Sequence, residues 1–206
     1  MIFPEKKYRD FKIFYEKYIN LLAKYSININ IPNLVKIVHL IEKKIKNKNS
    51  IFVCGNGGSA AIANHYVCDF SKLLRADTNL EPSFYSFSSN IEMISAIAND
   101  ISYDDIFSYQ AKVYCKKGDL VIILSSSGNS KNIRKLVDYC NKNKIETVGI
   151  SGFGGGYLSN NSKNFLKIDI SNYGIVEDIT QVIMHTILQF LKSKYLKKTD
   201  IKNSIF

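Results

Sequence analysis

A chain of 206 residues, 46% hydrophobic and 12% aromatic, is enough for one well-filled core and too short for two, and this composition excludes disorder. Its formal charge of +10 comes from 28 Lys+Arg against 18 Asp+Glu; the excess is mostly scattered lysine without a recognition motif, which argues against nucleic acid and for a surface that draws in small anions. No apolar run approaches the ~18 residues of a membrane span, and Glu5, Lys6 and Lys7 interrupt any signal-peptide core, so a cytoplasmic protein without a membrane partner is expected.

Residues 1–48 read as two helices. Phe11, Phe14, Tyr15, Tyr18, Ile19 and Leu22 form an apolar stripe at spacings of three and four. Asn30-Ile31-Pro32 starts the second helix with Asn30 as its cap, and Leu34, Ile37, Ile41 and Ile45 follow on one side. His39, between Val38 and Leu40, is expected to pack within that helix. Two leading helices exceed what an α/β unit needs. They are expected to be integral to the domain, with a neighbouring subunit covering their remaining apolar surface.

From Asn49 the pattern changes to short apolar runs, each followed by a loop and a helix. Strands are expected at Ile51–Cys54, Ser83–Phe87, Leu120–Leu124, Thr147–Ile150 and Phe165–Ile170, with helices over 59–73, 90–98, 104–114, 131–143 and 176–195. Leu120–Leu124 is apolar on both pleat faces, as a covered parallel strand should be. The sum is a three-layer α/β/α domain with a five-stranded parallel sheet over 49–198. Cys54, Cys68, Cys115 and Cys140 lack CxxC spacing and sit among apolar residues, so all four are read as buried thiols in a reducing compartment.

Two loops carry the clearest chemistry. Gly55-Asn56-Gly57-Gly58-Ser59 leaves a strand and enters a helix, where glycines permit close approach, free N–H groups favour an anion, and Ser59 can cap. It lacks both the dinucleotide fingerprint and the Walker lysine. Ser125-Ser126-Ser127-Gly128-Asn129-Ser130 repeats the arrangement with four hydroxyls, a neutral cradle for a phosphate. Both loops fall at strand C-terminal ends, where an open parallel sheet places its ligands. His65 and Asp69 stand four apart on one helix and share a face. The last helix carries Glu177, Asp178, Gln181 and His185 as a polar stripe within an apolar sequence, with Glu177 and His185 roughly on one face. Facing one another, these pairs supply acid/base groups or ligands for a divalent metal.

Gly55–Ala60, His65…Asp69, Ala98-Asn99-Asp100, Asp105-Ile106-Phe107, Ser125–Ser130, Gly152–Gly156 and Glu177…His185 occur in that order. In this combination the chain resembles the bacterial phosphoheptose isomerases of the sugar isomerase (SIS) superfamily. The resemblance implies a homotetramer with active sites across subunit contacts. It also implies interconversion of sedoheptulose 7-phosphate and D-glycero-D-manno-heptose 7-phosphate for lipopolysaccharide or capsule heptose, with zinc in the site of several members. Carried over by position, Gly57, Gly58, Ser59, Ser125, Ser126, Ser127 and Ser130 would hold the phosphate. Asn56 would shape the sugar pocket, and Asn99 and Asp100 would contact the sugar chain. Asp69, Glu177 and His185 would be catalytic, with His65, Asp69, Glu177 and His185 available to zinc. Two departures stand out: Asp69 replaces a glutamate and Glu177 replaces a glutamine. The segment Asn172–Asp178 also lacks the usual aspartate–arginine pair, which leaves open another phosphorylated sugar as substrate, or a non-catalytic sugar-phosphate-binding or adaptor role.

Overall fold

The computed structural model describes residues 1–197; the expected domain end at residue 198 lies outside them. Two helices, α1 (Phe11–Ile27) and α2 (Ile31–Lys46), precede the first strand, and Asp10 and Asn30 cap them by accepting from the N–H groups of Ile13 and Asn33. The chain continues through β1 (Ser50–Cys54), α3 (Gly58–Asp69), a π-helical turn (Phe70–Leu74), α4 (Arg75–Asp77), β2 (Ser83–Ser86), α5 (Ile91–Asp100) and a 3-10 turn (Tyr103–Asp105). It closes with α6 (Ile106–Tyr114), β3 (Leu120–Leu124), α7 (Lys131–Lys142), β4 (Glu146–Ser151), α8 (Gly156–Asn161), β5 (Asn164–Lys167) and α9 (Tyr173–Lys194).

The five strands are all parallel in the order β2-β1-β3-β4-β5. Strand alternation divides the core in two. Ile51, Val53, Leu120, Ile122, Leu124, Val148 and Ile150 join the apolar faces of α2, α3 and α9 on one side. Phe52, Cys54, Val121 and Ile123 meet residues of α6, α7 and α8 on the other. At roughly 1.5–3 kcal/mol per large apolar side chain buried, this double-sided burial dictates a covered sheet. Each parallel strand therefore ends at the same edge of the sheet, with its following loop there.

Several expectations are corrected. The helix expected over 59–73 is α through Asp69 and then π, and the last helix begins at Tyr173, because the side chain of Asn172 accepts from Ile175 N and starts it early. Helix α8 is not among the expected elements; Phe153, Gly154 and Gly155 before it and its first residue Gly156 all have positive φ, and a six-residue helix leaves little periodicity. Strand β5 ends at Lys167, although Ile168 N still donates to Ser151 O and Phe153 N to Ile170 O. Cys54 and Cys140 are buried, but Cys115 is half-buried and Cys68 is exposed on the solvent side of α3. His39 does not pack inward: its side chain is 65% exposed, beside Glu42. On α1, Phe14, Tyr18 and Leu22 pack on the core, whereas Phe11, Tyr15 and Ile19 remain exposed. Among the described residues no helix is long and apolar enough to cross a membrane.

Candidate active site

Adjacent strands bring the two loops together. Cys54 of β1 pairs with Ile123 of β3, so the chain leaves both strands side by side. A Cβ on Gly55 would stand 2.6 Å from Ser59 Cβ and 2.8 Å from the Leu124 carbonyl, so only glycine allows the loops to close up. Gly57, at φ +55°, occupies the cap position of α3, and Ser130 that of α7; neither helix start has a side-chain cap bond. Ala60 N donates to Gly57 O, and the other first-turn N–H groups of both helices are left without a side-chain cap. Ser59 lies inside α3 and caps nothing, contrary to the expectation, because the glycine before it already makes the turn.

A cleft of about 280 Å³ opens between these loops, lined by Asn56, Gly57, Gly58, Ser59, Ser125, Ser126, Ser127 and Ser130, together with Tyr173 and Glu177. The loop residues expected to hold the phosphate, and Asn56, all line it; Gly55, Gly128 and Asn129 do not. Asn56 exchanges a reciprocal pair of hydrogen bonds with the buried Asn132, at 3.0 and 2.9 Å, and accepts another from Tyr103. Asn132, Tyr103 and Tyr173 had no sequence signal, since their roles arise only when distant loops meet. Asn99 and Asp100 are not brought to this cleft; Asn99 Nδ2 donates to Asp100 Oδ1 at the exposed end of α5. A roomier cavity of about 670 Å³ lies elsewhere, between β2 and the end of α6, and none of the loop or histidine residues lines it.

Helices α3 and α9 run side by side in the same direction. Gly58 meets Glu177 at their starts, and His65 and Asp69 meet Gln181 and His185 further along. Asp69 Oδ2 lies 3.3 Å from His65 Nε2 and 3.5 Å from His185 Nε2, and one ligand atom from each of the three falls within 4.8 Å of the others. Ligands 2.0–2.1 Å from a tetrahedral zinc stand about 3.3 Å apart, so the two Asp69–imidazole distances match a metal site, with the third pair within 4.8 Å. Glu177 is not part of this group. Eight residues separate it from His185, which is about 12 Å along the helix axis; it shares their face but faces the serine cleft.

Glu177 is the carboxylate of that cleft. It makes no hydrogen bond or ion pair among the described residues, and burial, then the neighbouring Asp178, raises its pKa above the ordinary glutamate value. Asp178 itself accepts from Tyr18 of α1 at 2.6 Å, tying the N-terminal helix to α9.

The chain matches the SIS domain family over residues 14–152. It is 31% identical over 180 residues to a probable phosphoheptose isomerase of Thermoplasma acidophilum, covering 87% of this chain and 98% of the relative. It is also 31% identical to phosphoheptose isomerase 2 of Campylobacter jejuni, over 82% of this chain and 84% of that one. The fold superposes on a solved phosphoheptose isomerase structure from Neisseria gonorrhoeae with a TM-score of 0.80, at 22% identity, covering 88% of this chain and 96% of that one.

Proposed function

We propose that this chain, which belongs to the phosphoheptose isomerase family of SIS-domain proteins, interconverts sedoheptulose 7-phosphate and D-glycero-D-manno-heptose 7-phosphate through an enediol. The observation that carries the reading is the division of the site along two parallel helices: a glycine- and serine-lined anion cradle with Glu177 at one end and a His65/Asp69/His185 group further along. On α3, Gly58 and His65 are seven residues apart, about 10 Å of rise. An extended seven-carbon sugar phosphate spans roughly 10 Å from phosphorus to C1, counting ~1.25 Å of advance per bond. With the phosphate held by the serine hydroxyls and helix N–H groups, the carbonyl end reaches the histidines.

Asp69 turns Oδ2 toward both imidazoles, and its Oδ1 makes no side-chain hydrogen bond or ion pair among the described residues. Asp69 therefore removes the proton from the carbon beside the carbonyl and returns it to the neighbouring carbon. His185 moves a proton on and off the carbonyl oxygen. Glu177 accepts hydrogen bonds from hydroxyls of the chain between the two ends. In place of that proton transfer by His185, zinc held by His65, Asp69 and His185 would supply Lewis-acid polarisation of the substrate oxygens.

The exposed apolar residues of the helical layer, including Phe11, Tyr15 and Ile19 on α1, Val35 on α2 and Phe190 on α9, support a homotetramer with these faces in contact. The product serves surface-polysaccharide heptose synthesis in the cytoplasm. The test is NMR of the protein with C5, C6 and C7 sugar phosphates in deuterated water, with and without added zinc. Sedoheptulose 7-phosphate should show both solvent exchange at C–H and the aldose product. Failure of every sugar phosphate to exchange would refute the assignment.

A further inference from the structure

We propose that Gln181 is the positioning residue of the histidine group, its carboxamide setting which ring nitrogen of His65 and His185 carries the proton. The inference rests on the metal-holding reading of His65, Asp69 and His185 given above. The carboxamide Nε2 position lies 2.5 Å from His65 Nδ1 and 3.2 Å from His185 Nε2. The first is a hydrogen-bond separation, well inside the ~3.3 Å between two ligands of one tetrahedral zinc. Moreover, His65 turns its other nitrogen, Nε2, toward Asp69. Gln181 is therefore an outer partner of His65 and not a fourth ligand.

As an NH2 group, the carboxamide donates one hydrogen to each ring. His65 Nδ1 accepts, so the His65 proton sits on Nε2 and is donated to Asp69 Oδ2; His185 Nε2 accepts the second hydrogen. This network orders all four side chains, yet it leaves His65 Nε2 a donor and unable to ligate. A half-turn of the amide presents Oε1 to His65 Nδ1 instead. The ring proton then exchanges through water to Nδ1, with no net gain or loss, and the lone pair on His65 Nε2 faces Asp69 Oδ2; because the same amide atom lies 3.2 Å from His185 Nε2, the half-turn also withdraws the donor from His185 and sets Oε1 beside its ring nitrogen. A carboxamide serves both arrangements because it carries a donor and an acceptor. A carboxylate serves only the second, and a thioether serves neither.

The discriminating variants are Gln181→Met and Gln181→Glu in the full chain. Zinc affinity is read by competition with a chromophoric chelator, and the imidazole tautomers of the metal-free protein by ¹⁵N NMR. Q181M should lose roughly 10–100-fold in zinc affinity and show mixed tautomers at His65. Q181E should keep the wild-type affinity or exceed it, a rescue that simple loss of packing would not produce. Equal zinc affinity in wild type and Q181M, with unchanged tautomers, overturns the proposal. A wild type that holds no zinc, while the His65 tautomer still shifts in Q181M, overturns the metal reading and upholds the tautomer role.

Discussion

Gly58→Ala tests whether the position of Glu177 matters, without replacing any polar group. A Cβ at Gly58 would lie 2.5 Å from Glu177 Oε1 and 2.6 Å from its Cδ, where ordinary contact begins at 3.4 Å. The carboxylate must therefore retreat by about 1 Å, which it can do because it is the far end of a flexible side chain. Gly58 is the first residue of α3 and has no positive φ, so the backbone accepts alanine. Helix propensity favours alanine over glycine by up to ~1 kcal/mol, which offsets the displaced side chain. The melting temperature should then stay within about 4 °C of wild type. Activity should respond differently, because a misplacement of ~1 Å can cost about 10²-fold in rate. Steady-state kinetics with sedoheptulose 7-phosphate should show kcat/KM lowered by that order while the fold melts normally. Adding Glu177→Ala should abolish most of the further effect of G58A, since the two changes act through one carboxylate. Wild-type kcat/KM in G58A would refute the role given to Glu177, and a fully additive double variant would show that the new methyl acts on the substrate directly.

His185→Ala should lower turnover by about 10²–10⁴-fold while sulfate, a stand-in for the substrate phosphate, binds with unchanged affinity by calorimetry. Glu177→Gln should bind sulfate more tightly than wild type at neutral pH, because a carboxylate and a dianion share one cleft. The Glu177 pKa is raised by burial and then by Asp178, so the wild-type carboxylate keeps its proton to a higher pH than usual. The two affinities should converge below the ordinary glutamate value of 4.5, and parallel pH curves would contradict the charge argument. At the far end of α9, burial pushes the Glu42 carboxyl up, but Tyr195, Lys194 and Lys46 outweigh it and hold the pKa at about 2. A pKa below the unfolded value gives stability that is present above pH 4.5 and lost as the pH falls toward 2. Glu42→Gln should therefore melt lower than wild type at pH 7, with the gap closing across that acid range.

How far the site was legible from the sequence depended on whether its signal was local. The two loops could be read because strand, glycine or serine turn, and helix follow one another directly. His65 and Asp69 could be paired because a spacing of four on a helix puts them on one face. Glu177 was grouped with His185 on the same logic, yet sharing a face leaves the distance along the axis unconstrained, and two turns place Glu177 with the phosphate cradle. Asn132, Tyr103 and Tyr173 had no local signal, since each meets the site through tertiary packing. Gln181 was visible as part of a polar stripe, but its task depends on α3 lying alongside. The fold was legible wherever strands were buried on both faces, and least so at α8, where four residues of positive φ hide a short helix.

The shorter acid at position 69 is where sequence and structure pull hardest against each other. Exchanging glutamate for Asp69 removes one methylene and would withdraw a carboxylate by ~1.5 Å on an unchanged backbone. Yet Asp69 Oδ2 still lies 3.3 and 3.5 Å from both imidazoles. Two features make that reach possible. Asp69 ends the α-helical part of α3 directly before the π turn Phe70–Leu74, so the backbone changes its winding at this residue. In addition, Gln181 touches both rings, and their centroids stand 5.1 Å apart, nearly perpendicular. The polar ends of the histidines are thereby held toward the shorter side chain. The two carboxylate–imidazole distances thus coincide with a change of winding at Asp69 on one side and with Gln181 against both rings on the other, while Glu177 takes a separate place in the serine cleft.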